Sequence, residues 1–154
     1  MELDKNLIKI LKHDFSDQLH VKVVEKDALE VLKEQNFDIL LSNLPFFLTE
    51  DILQILSAKV KYWQATTPTP NTLLETYGSE LVTGTGNEKQ QTQRLFRKAI
   101  VSVHNDDNYS DDVVSSKYPH LIISTLCVLD PDDFTPRQPF ASKVIVVLPK
   151  LPEI

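Results

Sequence analysis

The residues best placed to do chemistry are Asn43-Leu44-Pro45-Phe46, directly after the apolar run Phe37-Asp38-Ile39-Leu40-Leu41. That run is too short for an ordinary helix and suits a buried parallel strand. In an open α/β sheet, ligands gather at the carboxyl ends of the strands, so a site belongs where this strand stops. An asparagine amide oxygen and a backbone carbonyl both accept hydrogen bonds from an exocyclic amine. The Phe46 ring offers a stacking face, a contact worth about 1–3 kcal/mol for a nucleic-acid base. Pro45 restricts the turn that carries these groups. Of the adjacent Phe46 and Phe47, one is expected in the core and one at the site. Asn43 also fits a plain Asx-type turn, which needs no ligand.

The flanking sequence supplies elements to position this segment. Asp4 is an expected N-cap for a helix with Leu7, Ile8, Ile10 and Leu11 as its apolar stripe. Val21-Lys22-Val23-Val24-Glu25 reads as a strand, and Ala28 to Glu34 as a short helix that Asp27 could cap. Thr49, Glu50 and Asp51 open a helix through Ile52, Leu53, Ile55 and Leu56, with acids in the first turn where the dipole favours them. Val60 to Trp63 reads as a further strand. Thr66 to Asn71, with Pro68 and Pro70, is a loop. Helices are expected over Thr72 to Val82 and Gln90 to Ile100, separated by a turn at Gly84-Thr85-Gly86-Asn87. Asn105 to Asp112 reads as a solvated acidic loop, and two strands, Leu121 to Leu129 and Lys143 to Leu148, close the chain. Alternating strands and helices define an α/β domain with a largely parallel sheet, and nothing divides residues 1–154 into two domains.

Composition narrows the functions. The 154 residues carry a net charge of −6, against the usual balance of a nucleic-acid binder, with Asp106, Asp107, Asp111, Asp112, Asp130, Asp132 and Asp133 crowding the last third. Cys127 is the only cysteine, so no internal disulfide forms and an intracellular, reducing compartment is the default. Its apolar surroundings predict a buried structural thiol. No apolar stretch is long enough to span a membrane, and the N-terminus has no signal-like region. His13, His20, His104 and His120 lack metal-ligand spacing. Asp106, Asn108 and Ser110 mimic the start of a calcium loop, but Asp111 stands where glycine is required and Lys117 where glutamate is required. No metal is expected.

Asn43-Leu44-Pro45-Phe46 resembles the Asn-Leu-Pro-Tyr/Phe motif of the ribosomal RNA adenine N6-dimethyltransferases, which depend on S-adenosylmethionine. Three further segments match in order. Glu2-Leu3-Asp4 resembles the acidic motif whose glutamate binds the cofactor ribose. Asp27-Ala28 resembles the Asp-Ala motif whose carboxylate binds the cofactor adenine amine. Phe134-Thr135-Pro136, leading into Ser142-Lys143-Val144, resembles the Phe-x-Pro segment and final strand of the catalytic domain. The resemblance implies a Rossmann-like class I methyltransferase sheet, incomplete at its N-terminal part. It assigns Glu2, Asp27, Ala28 and Asn43 to S-adenosylmethionine. Asn43, the Pro45 carbonyl and Phe46 would orient the target amine, with Phe134 as a second base contact. Ribosomal RNA is the implied partner, in the cytoplasm or an organelle. Such transfer needs no strong general base, because positioning and electrostatics carry it.

The chain also departs from that family's pattern. No Gly-x-Gly-x-Gly loop precedes Glu2, and Gly84-Thr85-Gly86 reads as a turn rather than its substitute. The Gln-Lys-Glu helix after the catalytic motif is reduced to Leu73-Leu74-Glu75, and the second proline after Phe134 falls late, at Pro139. The helical RNA-binding domain that follows in the family is not present before Ile154. A second chain or further segment completing the sheet is therefore expected for activity. The alternative is a degenerate, non-catalytic methyltransferase-like binding or assembly protein, and a third reading is a truncated product.

Overall fold

The computed structural model describes residues 1–66 and 96–151. The chain divides into two compact units, Met1–Gln35 and Asn36–Ile154.

In the first unit, helix α1 spans Lys5–Asp14 and helix α2 spans Ala28–Glu34. Asp4 caps α1, its carboxylate accepting from the Asn6 N–H at 2.7 Å and the Leu7 N–H at 3.1 Å. Of the expected stripe, Ile8 is buried and Leu11 half-buried, whereas Leu7 and Ile10 are exposed. Val21–Glu25 is not a strand. It forms no ladder among the described residues, and the Glu2 N–H bond to the Val24 carbonyl (3.0 Å) links two segments of the first unit. β-branched residues favour extended backbone, but only a partnered segment becomes a sheet strand.

The second unit holds a four-stranded sheet among its described residues, in the order β1-β2-β4-β3. The strands are β1 (Ile39–Ser42), β2 (Lys98–His104), β3 (Leu121–Leu129) and β4 (Ser142–Pro149). The β1/β2 pair is parallel, while β2/β4 and β3/β4 are antiparallel, so the expected largely parallel sheet is mixed. Helix α3 (Thr49–Thr66) follows β1, and helix α4 (Asp111–Lys117) precedes β3. Val60 to Trp63 lies inside α3, correcting the expected strand. Val60 and Trp63 are buried on the helical period that also buries Ile52, Leu53 and Leu56. Lys98 to Ile100 is strand rather than the end of a helix, and the acidic loop contains a 3-10 turn at Asp107–Tyr109 and the start of α4. The helices expected over Thr72 to Val82 and Gln90 to Leu95, and the Gly84-Thr85-Gly86 turn, lie outside the described residues.

One face of the sheet carries the core. Ala99, Val101 and Val103 of β2 are fully buried, beside Ile145 and Val147 of β4. Alternation along β2 then directs Ile100, Ser102 and His104 to the opposite, more open face. The entries to β1 and β2 are tied together. Phe37 stacks on the buried Phe96 (5.8 Å between ring centres), and Asp38 pairs with Arg97 at 2.9 Å. Lys143 is also buried, with its ammonium 3.7 Å from Asp111. Asp111 additionally accepts from the Thr125 N–H (2.9 Å) and hydroxyl (2.7 Å).

Cys127 is exposed, correcting the expected buried thiol. The register of β3 on β4 shifts between Thr125 and Cys127, and the outer half of this edge strand faces solvent. A bulge of this kind reassigns every side chain beyond it, which an apolar run alone does not reveal.

Helix α3 is fixed to α4 through Glu50, which accepts from the Tyr118 hydroxyl at 2.6 Å and pairs with Lys117. Burial alone would raise the Glu50 carboxyl, but the Lys117 and Tyr118 bonds outweigh it and hold it below its ordinary value of 4.5. Burial, then the adjacent carboxylate, raises the Tyr118 phenol. For a carboxyl lowered by folding, the unfolded chain takes the proton first. The stabilisation is therefore complete above pH 4.5 and is lost as pH falls through the lower folded value. Glu50→Gln is expected to flatten the loss of urea-unfolding midpoint between pH 6 and pH 3. An unchanged acid slope would show that the contact contributes no pH dependence.

Candidate active site

Strand β1 ends at Ser42, and the chain turns through Asn43-Leu44-Pro45 into a 3-10 turn, Phe46–Leu48, before α3 begins. The Pro45 carbonyl closes this turn by accepting from the Leu48 N–H at 2.9 Å. A carbonyl has two lone pairs, so this bond leaves capacity for a second donor. The turn presents Asn43 and Phe46 to a cleft of about 360 Å³, within the usual size range of small-molecule sites.

The walls of the cleft are largely apolar, with Leu41, Ile100, Leu129 and Val144 beside the rings of Phe46 and Phe134. Its polar groups come from Asn43, Ser42, Ser102, Gln138 and Ser142. Phe134 and Gln138 arrive from the connection between β3 and β4, where Asp130 and Asp133 form a reciprocal capping box around a 3-10 turn. The Gln138 N–H binds the Pro131 carbonyl at 3.2 Å, folding the connection back on itself. Phe134, far in sequence from Asn43 and Phe46, therefore lines the same cavity at the carboxyl end of β1.

Phe46 and Phe47 divide differently from the expectation. Phe46 is half-buried at the cleft and Phe47 is 79 % exposed, so neither enters the core. Phe46 is braced edge-on by His104 (5.7 Å) and Phe140 (5.3 Å), and those two rings lie 4.3 Å apart. His104 Nδ1 is in turn 3.1 Å from an Asp106 carboxylate oxygen. The bracing rings carry no local signal in the sequence, because β2 and the β4 entry bring them together.

The candidate cofactor residues Glu2, Asp27 and Ala28 lie in the first unit. Glu2 accepts from the N–H groups of Leu3 (2.8 Å) and Asp4 (3.0 Å). The Asp4 and Leu3 backbone bonds lower the pKa of its carboxyl. Asp27 is half-buried and caps α2, accepting from the Leu29 N–H at 2.7 Å and the Glu30 N–H at 3.4 Å, both through Oδ1. Ala28 is the first residue of α2 and is half-buried. Both carboxylates thus have the orienting contacts of a helix start.

Sequence reading missed Ser42, Gln138 and Ser142 as site residues. The Oγ atoms of both serines and Gln138 Oε1 are buried and have no hydrogen-bond partner among the described residues. A serine ending β1 and another opening β4 are a weak signal, and Gln138 in a turn-rich stretch gives none. Among the described residues, no cluster of three His, Cys, Asp or Glu side chains could hold a metal, and no helix is long and apolar enough to cross a membrane.

No family model matches the sequence, and no curated protein matches it either. Solved structures do. A dimethyladenosine transferase from Plasmodium falciparum superposes with a TM-score of 0.61 at 17% identity, over 97% of this chain and 46% of that one. The 23S rRNA methyltransferase ErmE superposes with a TM-score of 0.58 at 14% identity, over 99% of this chain and 53% of that one. The fold is therefore an incomplete Rossmann-like α/β sheet similar to part of these two structures, and the chain spans about half their length.

Proposed function

We propose that residues 1–154 form part of the catalytic domain of an S-adenosylmethionine-dependent methyltransferase of the ribosomal RNA adenine N6-dimethyltransferase family. The proposed substrate is the exocyclic amine of an adenine in ribosomal RNA. The observation that carries this reading is the meeting of Asn43, Phe46 and Phe134 in one cleft at the end of β1, within a methyltransferase fold.

The chemistry of the donor set fits the cofactor. Carboxylates accept from the hydroxyls of a ribose and the amine of an adenine. Asp27 uses one oxygen for its helix cap, and Glu2 is oriented by backbone N–H groups. Glu2, Asp27, Ala28 and Asn43 would hold S-adenosylmethionine, which supplies an electrophilic methyl group. Asn43 Oδ1 and the Pro45 carbonyl accept from the target amine and direct its lone pair. Phe46 and Phe134 grip the base on its faces and exclude water. A base paired in a duplex would first be turned out of its stack.

Calorimetry of S-adenosylmethionine against the purified chain tests the reading. Saturable binding is expected, weakened about tenfold or more by Asp27→Ala through loss of a hydrogen bond to a charged acceptor. The competing reading, a non-catalytic binding or assembly relative, is favoured by the net charge of −6. A folded chain that binds no cofactor, alone or together with the segment that completes the sheet, would support that reading and reject the enzyme.

A further inference from the structure

Three polar atoms of the cleft stand out because nothing in the fold accounts for them. Ser42 Oγ, Ser142 Oγ and Gln138 Oε1 are each buried without a hydrogen-bond partner among the described residues, and all three residues line this cavity. Ser142 itself is 1 % exposed. A buried polar atom left unpaired weakens a fold, and an apolar replacement of the same shape is neutral or better. Their gathering around one cleft, from β1, β4 and the β3–β4 connection, points to a shared ligand.

We propose that Ser42, Gln138 and Ser142 form the base-reading floor of the cleft, bonding the polar edge of the adenine whose faces Phe46 and Phe134 hold. The inference rests on the function proposed above and deepens it. The ring nitrogens of a purine only accept, so the serine hydroxyls would meet them as donors, and Gln138 would do so with the NH2 end of its amide, whose two ends exchange by a flip. The surrounding apolar side chains keep water from competing, which gives each bond more discriminating power. A site built to hydrogen-bond its substrate rejects an analogue that leaves the site unpaired. Asn43 and the Pro45 carbonyl address the amine, while the floor addresses the ring.

The adenosine group could come from the substrate or from the cofactor, and the proposal commits to the substrate. The test is an NMR shift titration of the full chain with adenosine, and with analogues in which a ring nitrogen is replaced by carbon. Each protein is also melted without ligand. Ser142→Ala and Gln138→Met are expected to weaken adenosine about fivefold to tenfold each, while leaving the melting temperature equal or higher. At least one carbon-for-nitrogen analogue should bind more weakly to the parent chain but equally to one of these variants. Phe47→Ala, at an exposed ring outside the cleft lining, should leave adenosine binding unchanged.

If the parent chain binds adenosine and Asn43→Ala weakens it, but both floor variants bind normally, the floor is overturned and the proposed function stands. Lower melting temperatures in both floor variants with unchanged affinity would assign these residues to structure alone and overturn it likewise. Adenosine shifts that vanish in Asp27→Ala but persist in both floor variants would assign the titrated adenosine to the cofactor residues and overturn the commitment to substrate. A folded parent chain that binds no adenosine would remove both the floor and the function it rests on.

Discussion

Asn43→Ala is expected to lower methyl transfer by about 100-fold or more while leaving the fold intact. The expectation follows from what the side chain offers at its position. Asn43 is exposed at the end of β1 and faces the cleft shared with Phe46 and Phe134. In the proposed reaction, its amide oxygen accepts from the target amine and selects the orientation in which the nitrogen lone pair can attack. Removing one preorganised polar contact to a transition state costs about 2.7–4 kcal/mol, or about 100- to 1,000-fold in rate. Truncating an exposed side chain outside the core changes stability by only about 0.5 kcal/mol. The measurement is transfer of labelled methyl from S-adenosylmethionine to ribosomal RNA, with circular dichroism and melting as controls. Parent-level transfer by the variant would remove Asn43 from the catalytic role, whatever the protein binds.

Leu53→Ala is expected to destabilise the second unit by about 2–5 kcal/mol, the range for emptying a buried leucine site. Leu41→Ala is expected to change stability by only about 0.5 kcal/mol. Both are leucines close to the same β1–α3 junction, and the contrast comes from the faces they occupy. Leu53 is 0 % exposed on the buried side of α3, whereas Leu41 is 74 % exposed and pairs with Ile100 on the sheet face opposite Ala99, Val101 and Val103. Urea unfolding followed by circular dichroism separates the two. Similar losses would mean that both faces of the sheet are packed equally. Because Leu41 also forms a wall of the cleft, its variant should act on ligand binding instead.

These two predictions separate what local sequence specifies from what distant contacts decide. The caps at Asp4 and Asp27, the acidic opening of α3 and the strands β3 and β4 were all expected from the sequence. So was a parallel strand over Phe37 to Leu41, although the strand formed is Ile39–Ser42 and only Leu40 in it is buried. Each depends on groups a few residues apart: a carboxylate reaching an N–H two or three positions on, or an apolar run closed by a turn. The placement of Asn43 at a strand end is of this local kind, and it marked the candidate site. Val60–Trp63 shows where local reading fails. Its apolar residues fit a strand as readily as a helix, and burial along one helical face of α3 resolved the choice. Cys127 was misplaced because a register shift in β3 depends on pairing with β4. The antiparallel pairing of β4 with both its neighbours is also non-local, since strand order is fixed by which faces bury apolar area together. Sequence thus determined where the chain bends and which residues begin its elements. Only the tertiary structure brought Phe134, Gln138 and Ser142 to Asn43, because that meeting requires the β3–β4 connection to fold back over the end of a sheet whose strand order no local signal encodes.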